Sequence, residues 1–371
     1  MKIGLDASRF LLPTGEGTYT REVVRHLIRL FPDDHFLVVI PKFEPEFDAP
    51  NVEQYIRPAV DGITARLRYG FEIGRIASSH HLDVFHCLTN YAAFNVPCPV
   101  VCNVMDLATL KYPQLRPSRL QWLIYRFVFP FLLKCSRFLV AISKSTGRDL
   151  YNYYGFADSV RVVYCGVDHE TFNLSASLDR KLLARFRLPP NYLMFVGYLS
   201  PKKNLEVVLR AMAKLRAEDL PTTLVVVGKR GYGSEFFFEL VEELGLEGQV
   251  IETGFVSQQE LTLLYREAGL FVFPSIYEGF GLPVVEAMAC GSPVLVSDVG
   301  PLPEIVEDAS CLCAPDDVEG WATGIRRALT DPSYRERMQI YGFERAALFS
   351  WERAAQQLRT IYAEAVEDSR G

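Results

Sequence analysis

The sequence predicts an α/β fold of two doubly wound, Rossmann-like domains facing each other across a cleft. Three observations carry this. The chain has 371 residues, more than one hydrophobic core usually organises. Short β-branched runs alternate with longer amphipathic stretches, as in a parallel sheet covered by helices. That alternation stops at a polar patch near the middle and then restarts.

In the first half the strand candidates are Lys2–Ala7, Phe36–Ile40, Val84–Cys87, Val100–Val104, Phe138–Ile142 and Val160–Tyr164. Several are apolar nearly throughout, as strands buried on both faces should be. The polar patch spans Leu174–Arg187, which places the boundary near Asn173–Pro190. A second set follows: Leu193–Val196, Leu224–Val227, Val250–Glu252, Leu270–Phe273 and Val294–Val296. The expected domains are therefore residues 1–173 and 174–350. A closing helix begins at Trp351, with Ala355, Leu358, Ile361 and Tyr362 on one face. Ligands in such sheets bind beyond the carboxyl ends of the strands.

Composition excludes several classes. Net charge is -6, which gives no footprint for nucleic acid. No apolar run reaches the roughly 18 residues that a membrane-spanning helix needs, and the start Met1–Asp6 lacks the apolar stretch of a secretory leader. Eight cysteines sit mostly in apolar runs without zinc spacing, so they read as buried thiols in a reducing compartment, with no metal site. A cytoplasmic protein is expected.

The densest motif runs from Phe273 to Pro293. A strand ends at Pro274, a loop carrying Glu278, Gly279, Phe280 and Gly281 follows, and Leu282-Pro283 opens a helix that carries Glu286. Free N–H groups from Leu282 to Val285 can receive an anion such as a diphosphate. The two carboxylates can meet one elongated ligand at separate points, since a carboxylate accepts two hydroxyls at once. A capped surface loop before an ordinary helix would read the same way. Val196–Asn204 joins the strand Leu193–Val196 to another helix, with Ser200 as its expected N-cap and Pro201 at its first position. Lys202 and Lys203 in that first turn disfavour the helix alone, and a bound phosphate would reverse the penalty.

Near the N-terminus, Gly15-Glu16-Gly17-Thr18-Tyr19 opens a helix over Thr20–Phe31, where glycines would let backbone approach a ligand. The third glycine of a dinucleotide fingerprint is missing. The 42 residues Leu107–Arg148 hold eight Lys or Arg and no Asp or Glu. Arg116, Arg119, Arg126, Lys134 and Arg137 alternate with Trp122, Tyr125, Phe127, Phe129 and Phe131. This suits an anionic membrane or acceptor, or a helix with aromatics inward and arginines solvated. The six histidines form no metal or triad spacing; His86, next to Val84-Phe85, could face the cleft or serve the core.

Together these residues resemble retaining glycosyltransferase family four, of GT-B architecture, and most strongly its mannosyltransferase-like members. The likeness runs from Gly15-x-Gly17-x-Tyr19 through Pro201-Lys-Lys-Asn204 and Glu278-x7-Glu286 to Phe349-Ser-Trp351. It implies an N-terminal acceptor domain and a C-terminal domain for the nucleoside diphosphate sugar. The last helix, 351–371, would return to the first domain. By this resemblance Glu286 binds ribose hydroxyls, Glu278 the hydroxyls of the transferred sugar, and Lys203 the diphosphate. Gly15 and Gly17 would close over the diphosphate, with Gly279, Phe280, Gly281 and Leu282 also on the donor.

Two positions depart from the family's pattern. Tyr198 stands where many members have arginine, leaving Lys229 or Arg230 to meet a phosphate charge. Met105-Asp106 stands in place of a His-Asp pair; Asp106 keeps a catalytic place, with His86, Asn90 and Met105 on the acceptor side. The implied reaction is same-face transfer from a nucleotide sugar, mannose from GDP-mannose leading, to a glycan or lipid-linked hydroxyl, without metal. Peripheral attachment at the inner face of the plasma membrane through 107–148 goes with it. The alternatives are a nucleotide-sugar epimerase or hydrolase of the same plan, and a non-catalytic assembly protein.

Overall fold

The computed structural model describes residues 1–58, 63–90, 93, 95–112, 119–174 and 179–369. It divides into two compact units, Met1–Gly166 with Trp351–Gly371, and Val167–Ser350. The division falls before the polar patch. Val167 already pairs with Ser350, and Phe172 packs edge-on against Tyr265, so both belong to the second unit. In the patch itself, Arg180–Phe186 forms a 3-10 helix.

The first unit holds β1 (Lys2–Asp6), β2 (His35–Ile40), β3 (Val52–Ile56), β4 (Val84–Cys87), β5 (Val100–Val104), β6 (Phe138–Ala141) and β7 (Val160–Val162). They form one parallel sheet in the order β3-β2-β1-β4-β5-β6-β7. The second unit holds β8 (Leu193–Val196), β9 (Leu224–Val227), β10 (Val250–Gly254), β11 (Leu270–Phe273), β12 (Val294–Ser297) and β13 (Leu312–Cys313). Their order is β10-β9-β8-β11-β12-β13, again parallel. Both sheets are doubly wound, with the strand order reversing at β1/β4 and at β8/β11. Every residue of β4, β5, β6, β9, β11 and β12 is buried, which is why these strands read as mostly apolar runs, interrupted by His86, Asn103 and Ser297. Two edge strands lie outside the expected set: β3, Val-Glu-Gln-Tyr-Ile, is half exposed, and β13 has two residues.

The helix Trp351–Asp368 packs on the first unit. Trp351 meets Tyr19 edge-on at 5.7 Å, and Arg359 donates to both carboxylate oxygens of Asp34, one at 3.1 Å. Trp351, Tyr362, Ala355 and Leu358 are all buried. Each large side chain contributes about 1.5–3 kcal/mol of burial. Among the described residues no helix is long and apolar enough to cross a membrane.

Candidate functional site

The carboxyl ends of β8 and β11, the reversal point of the second sheet, bring Lys203 and Glu278 together. Lys203 Nζ donates to Glu278 Oε1 at 2.7 Å, and Lys202 Nζ stands 4.0 Å from Oε2. Lys203 also lies over the Phe273 ring, 4.9 Å from its centre. Burial works to raise the pKa of Glu278, but the two lysines outweigh it and hold the carboxyl below its ordinary value. The group is a buried, ionised carboxylate with a cation in contact.

The route by which Lys203 reaches this place differs from the expected one. Ser200 makes no side-chain cap, Pro201–Lys203 form a 3-10 turn, and the helix begins only at Leu205. Asn204 causes the break. Its amide donates to Pro274 O at 3.1 Å and Pro315 O at 2.7 Å, and its backbone takes φ +52, a left-handed conformation that asparagine tolerates. The lysines therefore sit on a turn clamped to the end of β11. The loop after β9 is laced to this turn, with Leu199 N donating to Lys229 O at 3.0 Å and Gly231 N to Leu199 O at 2.8 Å.

The two candidates for the extra phosphate charge separate. Arg230 gives both guanidinium donors to Glu252, at 3.1 and 2.8 Å, and stacks on Phe238 at 3.8 Å. Lys229 is exposed and only lies over the Phe255 ring, at 4.4 Å. Lys229 is the better placed of the two, because Arg230 is spent on a carboxylate two strands away from the pair.

In the next loop Phe280 is buried against Phe349, ring centres 5.7 Å apart, so its side chain anchors the loop and only its backbone is left for a donor. Gly281 holds φ +123 with Leu302 Cδ2 3.0 Å from where a Cβ would stand, so another residue there is strained. The anion cradle is narrower than expected. Val284 N and Val285 N both donate back to Gly281 O, at 2.9 and 3.4 Å, and Pro283 has no N–H. That leaves Leu282 at the head of the helix Leu282–Ala289.

Glu286, on that helix, has one partner among the described residues: Tyr265 OH donates to its Oε2 at 2.9 Å. Burial pushes the Glu286 pKa up to about 7, against the hydrogen bond from Tyr265. A carboxylate in this state is poised to gain from hydroxyl donors. Tyr265 carried no signal in the motif reading. Its own helix, Gln258–Glu267, begins with a Ser257/Glu260 capping box.

In the first unit some of the expected ligand residues also have partners within the fold. Gly15 and Gly17 lie inside the helix Gly15–Leu30, which starts earlier than expected. A Cβ on Gly17 would stand 1.9 Å from Leu12 O, so the close approach of the chain's own backbone requires glycine there. Gly15 is exposed. His86 is fully buried; Nδ1 is 2.6 Å from Tyr362 OH and Nε2 2.8 Å from Asn103 Oδ1. Burial lowers its pKa to about 4, so the ring is neutral and structural. At the ends of β4 and β5, Asn90 bonds the backbone of both Met105 and Asp106, the latter at 2.9 Å. Met105 is buried, while Asp106 is half-buried and accepts from Ala108 N at 3.0 Å.

The basic stretch is split. Arg116 lies outside the described residues. The helix Arg119–Leu123 passes through a π-helical stretch, Ile124–Val128, into Phe129–Leu133. Pro130 cannot donate to the carbonyl four residues back, which accounts for the wider turn. Phe129 and Leu133 are buried, whereas Leu120, Leu123, Phe127 and Phe131 are exposed, Phe131 by 70%. Arg119, Arg126 and Lys134 are exposed beside them. Among the described residues, no group of His, Cys, Asp or Glu is placed to hold a metal ion.

Two doubly wound units, with a lysine–carboxylate pair at the reversal point of the second, define a protein of the GT-B class. The chain belongs to glycosyltransferase family four. A model described as Glycosyltransferase Family 4 matches residues 13–171, and one described as Glycosyl transferases group 1 matches residues 184–345. O-antigen chain mannosyltransferase B of Escherichia coli is 32% identical over 233 residues, 62% of this chain and 61% of that protein. D-inositol 3-phosphate glycosyltransferase of Thermobifida fusca is 34% identical over 245 residues, 62% of this chain and 56% of that one. The matches thus span less than two thirds of these relatives. Sucrose-phosphate synthase of Thermosynechococcus elongatus shares the fold at a TM-score of 0.81 and 22% identity, covering 98% of each chain. Anabaena HepE, solved with UDP and glucose, does so at 0.76 and 21%, covering 98% of this chain and 99% of that one.

Proposed function

We propose that the protein moves a sugar from a nucleoside diphosphate sugar to a hydroxyl of a glycan or lipid-linked acceptor, with retention of configuration. The observation that carries this is the ion pair of Lys203 with Glu278 where β8 and β11 end, followed on the next helix by Glu286. Glu286 takes the ribose hydroxyls, Glu278 those of the transferred sugar, and Lys203 the diphosphate, aided by Lys229, the Leu282 N–H and the backbone of Gly279 to Gly281. As the bond from the anomeric carbon to phosphate breaks, charge builds on the leaving oxygen, and Lys203 stabilises it where it develops. The acceptor oxygen bonds the same face, and its proton passes to that phosphate oxygen. In this reading lysines and a helix end meet the charge without metal, so activity survives EDTA.

Asp106 keeps its catalytic place, Asn90 and Met105 are assigned to the acceptor, and Gly15 keeps the phosphate-side role. Mannose from GDP-mannose is the first donor to try, on the name of the Escherichia coli relative. A panel of nucleotide sugars scored by protection against thermal unfolding identifies the donor, and the anomeric configuration of the product tests retention. Turnover of donor without any acceptor supports an epimerase or hydrolase instead, and no donor binding at all supports an assembly protein.

The acceptor side is proposed to work at the inner face of a membrane. Exposed Leu120, Leu123, Phe127 and Phe131 beside Arg119, Arg126 and Lys134 match an anionic bilayer surface, where each cation contributes about 1 kcal/mol. Cosedimentation with anionic vesicles should be strong at low salt, weak at high salt, and reduced by the Phe127→Ser/Phe131→Ser pair. Equal, negligible binding to anionic and neutral vesicles at low salt overturns the membrane reading.

A further inference from the structure

Tyr265 is absent from every motif that points to the donor, yet it holds the carboxylate on which donor binding is proposed to depend. It projects from the helix Gln258–Glu267 and is fully buried between Phe172 and Phe271, ring centres 6.0 and 5.5 Å away. Packing fixes the ring, and the ring fixes the hydroxyl 2.9 Å from Glu286 Oε2. Glu286 Oε1 has no partner among the described residues. One oxygen is thus anchored and the other left for a ligand, while the anchored oxygen keeps a second lone pair. We infer that Tyr265 is a positioning residue for the donor nucleotide: its hydroxyl orients the Glu286 carboxylate and favours the form that accepts two ribose hydroxyls. This rests on the reading of Glu286 as the ribose group.

The direction of the effect follows from which protonation state the hydrogen bond favours. A donor aimed at a carboxylate stabilises the charged form, and here it acts against a burial that has raised Glu286 to about 7. The tyrosine itself stays protonated, because burial and the adjacent Glu286 charge both raise its pKa well above the ordinary value. Other ionisable neighbours do little. Cys290, at the end of the same helix, is a neutral thiol raised by burial, and Arg266 is turned to Leu174 O. The neighbouring strands β11 and β12 carry no charge. On the helix Pro332–Ala346, Arg335 is tied to Asn191 and Arg345 to Ile305 and Glu307. The exposed residues Glu336, Arg337 and Glu344 lie in solvent.

The test compares wild type, Tyr265→Phe, Glu286→Gln and the double variant for GDP-mannose and UDP-glucose binding between pH 6 and 9. These nucleotide sugars have no titrating phosphate in that range. In the wild type affinity should rise through about pH 7. Loss of the hydroxyl should move that midpoint up by about one unit, since one unit is close to the lower end of what a hydrogen bond to a charge contributes. Affinity then falls about fivefold at pH 7, and the difference closes by pH 9. KM should move with it and kcat should not. In the Glu286→Gln background the tyrosine change should have no further effect on the pH profile. A Tyr265→Phe variant with lowered Tm but the wild-type midpoint makes the residue merely structural and overturns the inference. A Glu286→Gln variant that keeps wild-type affinity and pH profile instead removes Glu286 from the site, which is the failure of the underlying reading.

Discussion

The two units share a topology but treat their polar groups in opposite ways. In the first, His86 is buried, fully partnered by Tyr362 and Asn103, and kept neutral by a pKa near 4. In the second, Glu286 is half-buried, with a single partner among the described residues and a pKa near 7. The histidine is finished business within the fold. The glutamate carries an unfavourable charge, and carboxyls perturbed in this way cluster at functional sites. The same contrast separates Gly17, packed on Leu12 backbone, from Lys203, paired with the buried carboxylate of Glu278.

The largest effect should come from Lys203→Ala. Turnover should drop by about 10²–10³, as for loss of one group that stabilises a developing oxyanion, with donor affinity changing less. A variant with near-normal kcat, measured at saturating donor, hands the phosphate to Lys202 or Lys229.

Acid should separate the units. The folded pKa of His86 lies below its unfolded value of about 6.5, so its stability is complete above that pH and is lost as pH falls towards 4. The loss reaches about 3 kcal/mol. Glu286 runs the other way: its folded pKa is raised, so its contribution is complete below about pH 4.5 and declines as pH rises through 7. His86→Gln should flatten the acid limb of a Tm profile and Glu286→Gln the neutral limb. Identical profiles for all three proteins break the comparison.

Glu286→Ala should weaken the donor by about 1.5–3 kcal/mol, the worth of hydrogen bonds to a charged acceptor, as read by calorimetry. For Gly17→Ala the expected outcome is a stability loss of about 1–3 kcal/mol from overpacking against Leu12. Full stability with lost activity would restore Gly17 to ligand contact. Arg230→Ala should be the mildest, with little change in stability and near-normal turnover, because its exposed pair with Glu252 is worth little. Lys229→Ala should cost more activity than Arg230→Ala.

These contrasts also show where sequence pattern stops. Buried central strands are legible because sheets covered on both faces are mostly apolar, whereas β3, Val-Glu-Gln-Tyr-Ile, mixes polar and apolar residues at an edge and resembles a loop. Lys203, Glu278 and Glu286 stand out because charge at a strand end or helix start is locally uncompensated. What Arg230, Phe280 and His86 do is decided by Glu252, Phe349 and Tyr362, partners brought near only by strand pairing or by the final helix. The break at Asn204 has the same origin, since the carbonyls that fix it come from Pro274 and Pro315. Tyr265 escaped notice because a tyrosine at helical spacing reads as core, and its ring is indeed core while its hydroxyl is not.

The helix Trp351–Asp368 makes the chain's spatial order differ from its order of synthesis. Val167–Ser350 is one continuous segment whose two ends pair with each other, so the ribosome delivers it whole. The earlier-made unit still lacks the cover for Tyr19 and one of the two partners of His86 until residue 362 emerges. Domains made first usually finish first; here the N-terminal unit must wait, with aromatic surface open, while the later one closes. A premature stop early in that helix therefore spares the unit Val167–Ser350 and strikes the one that was translated first.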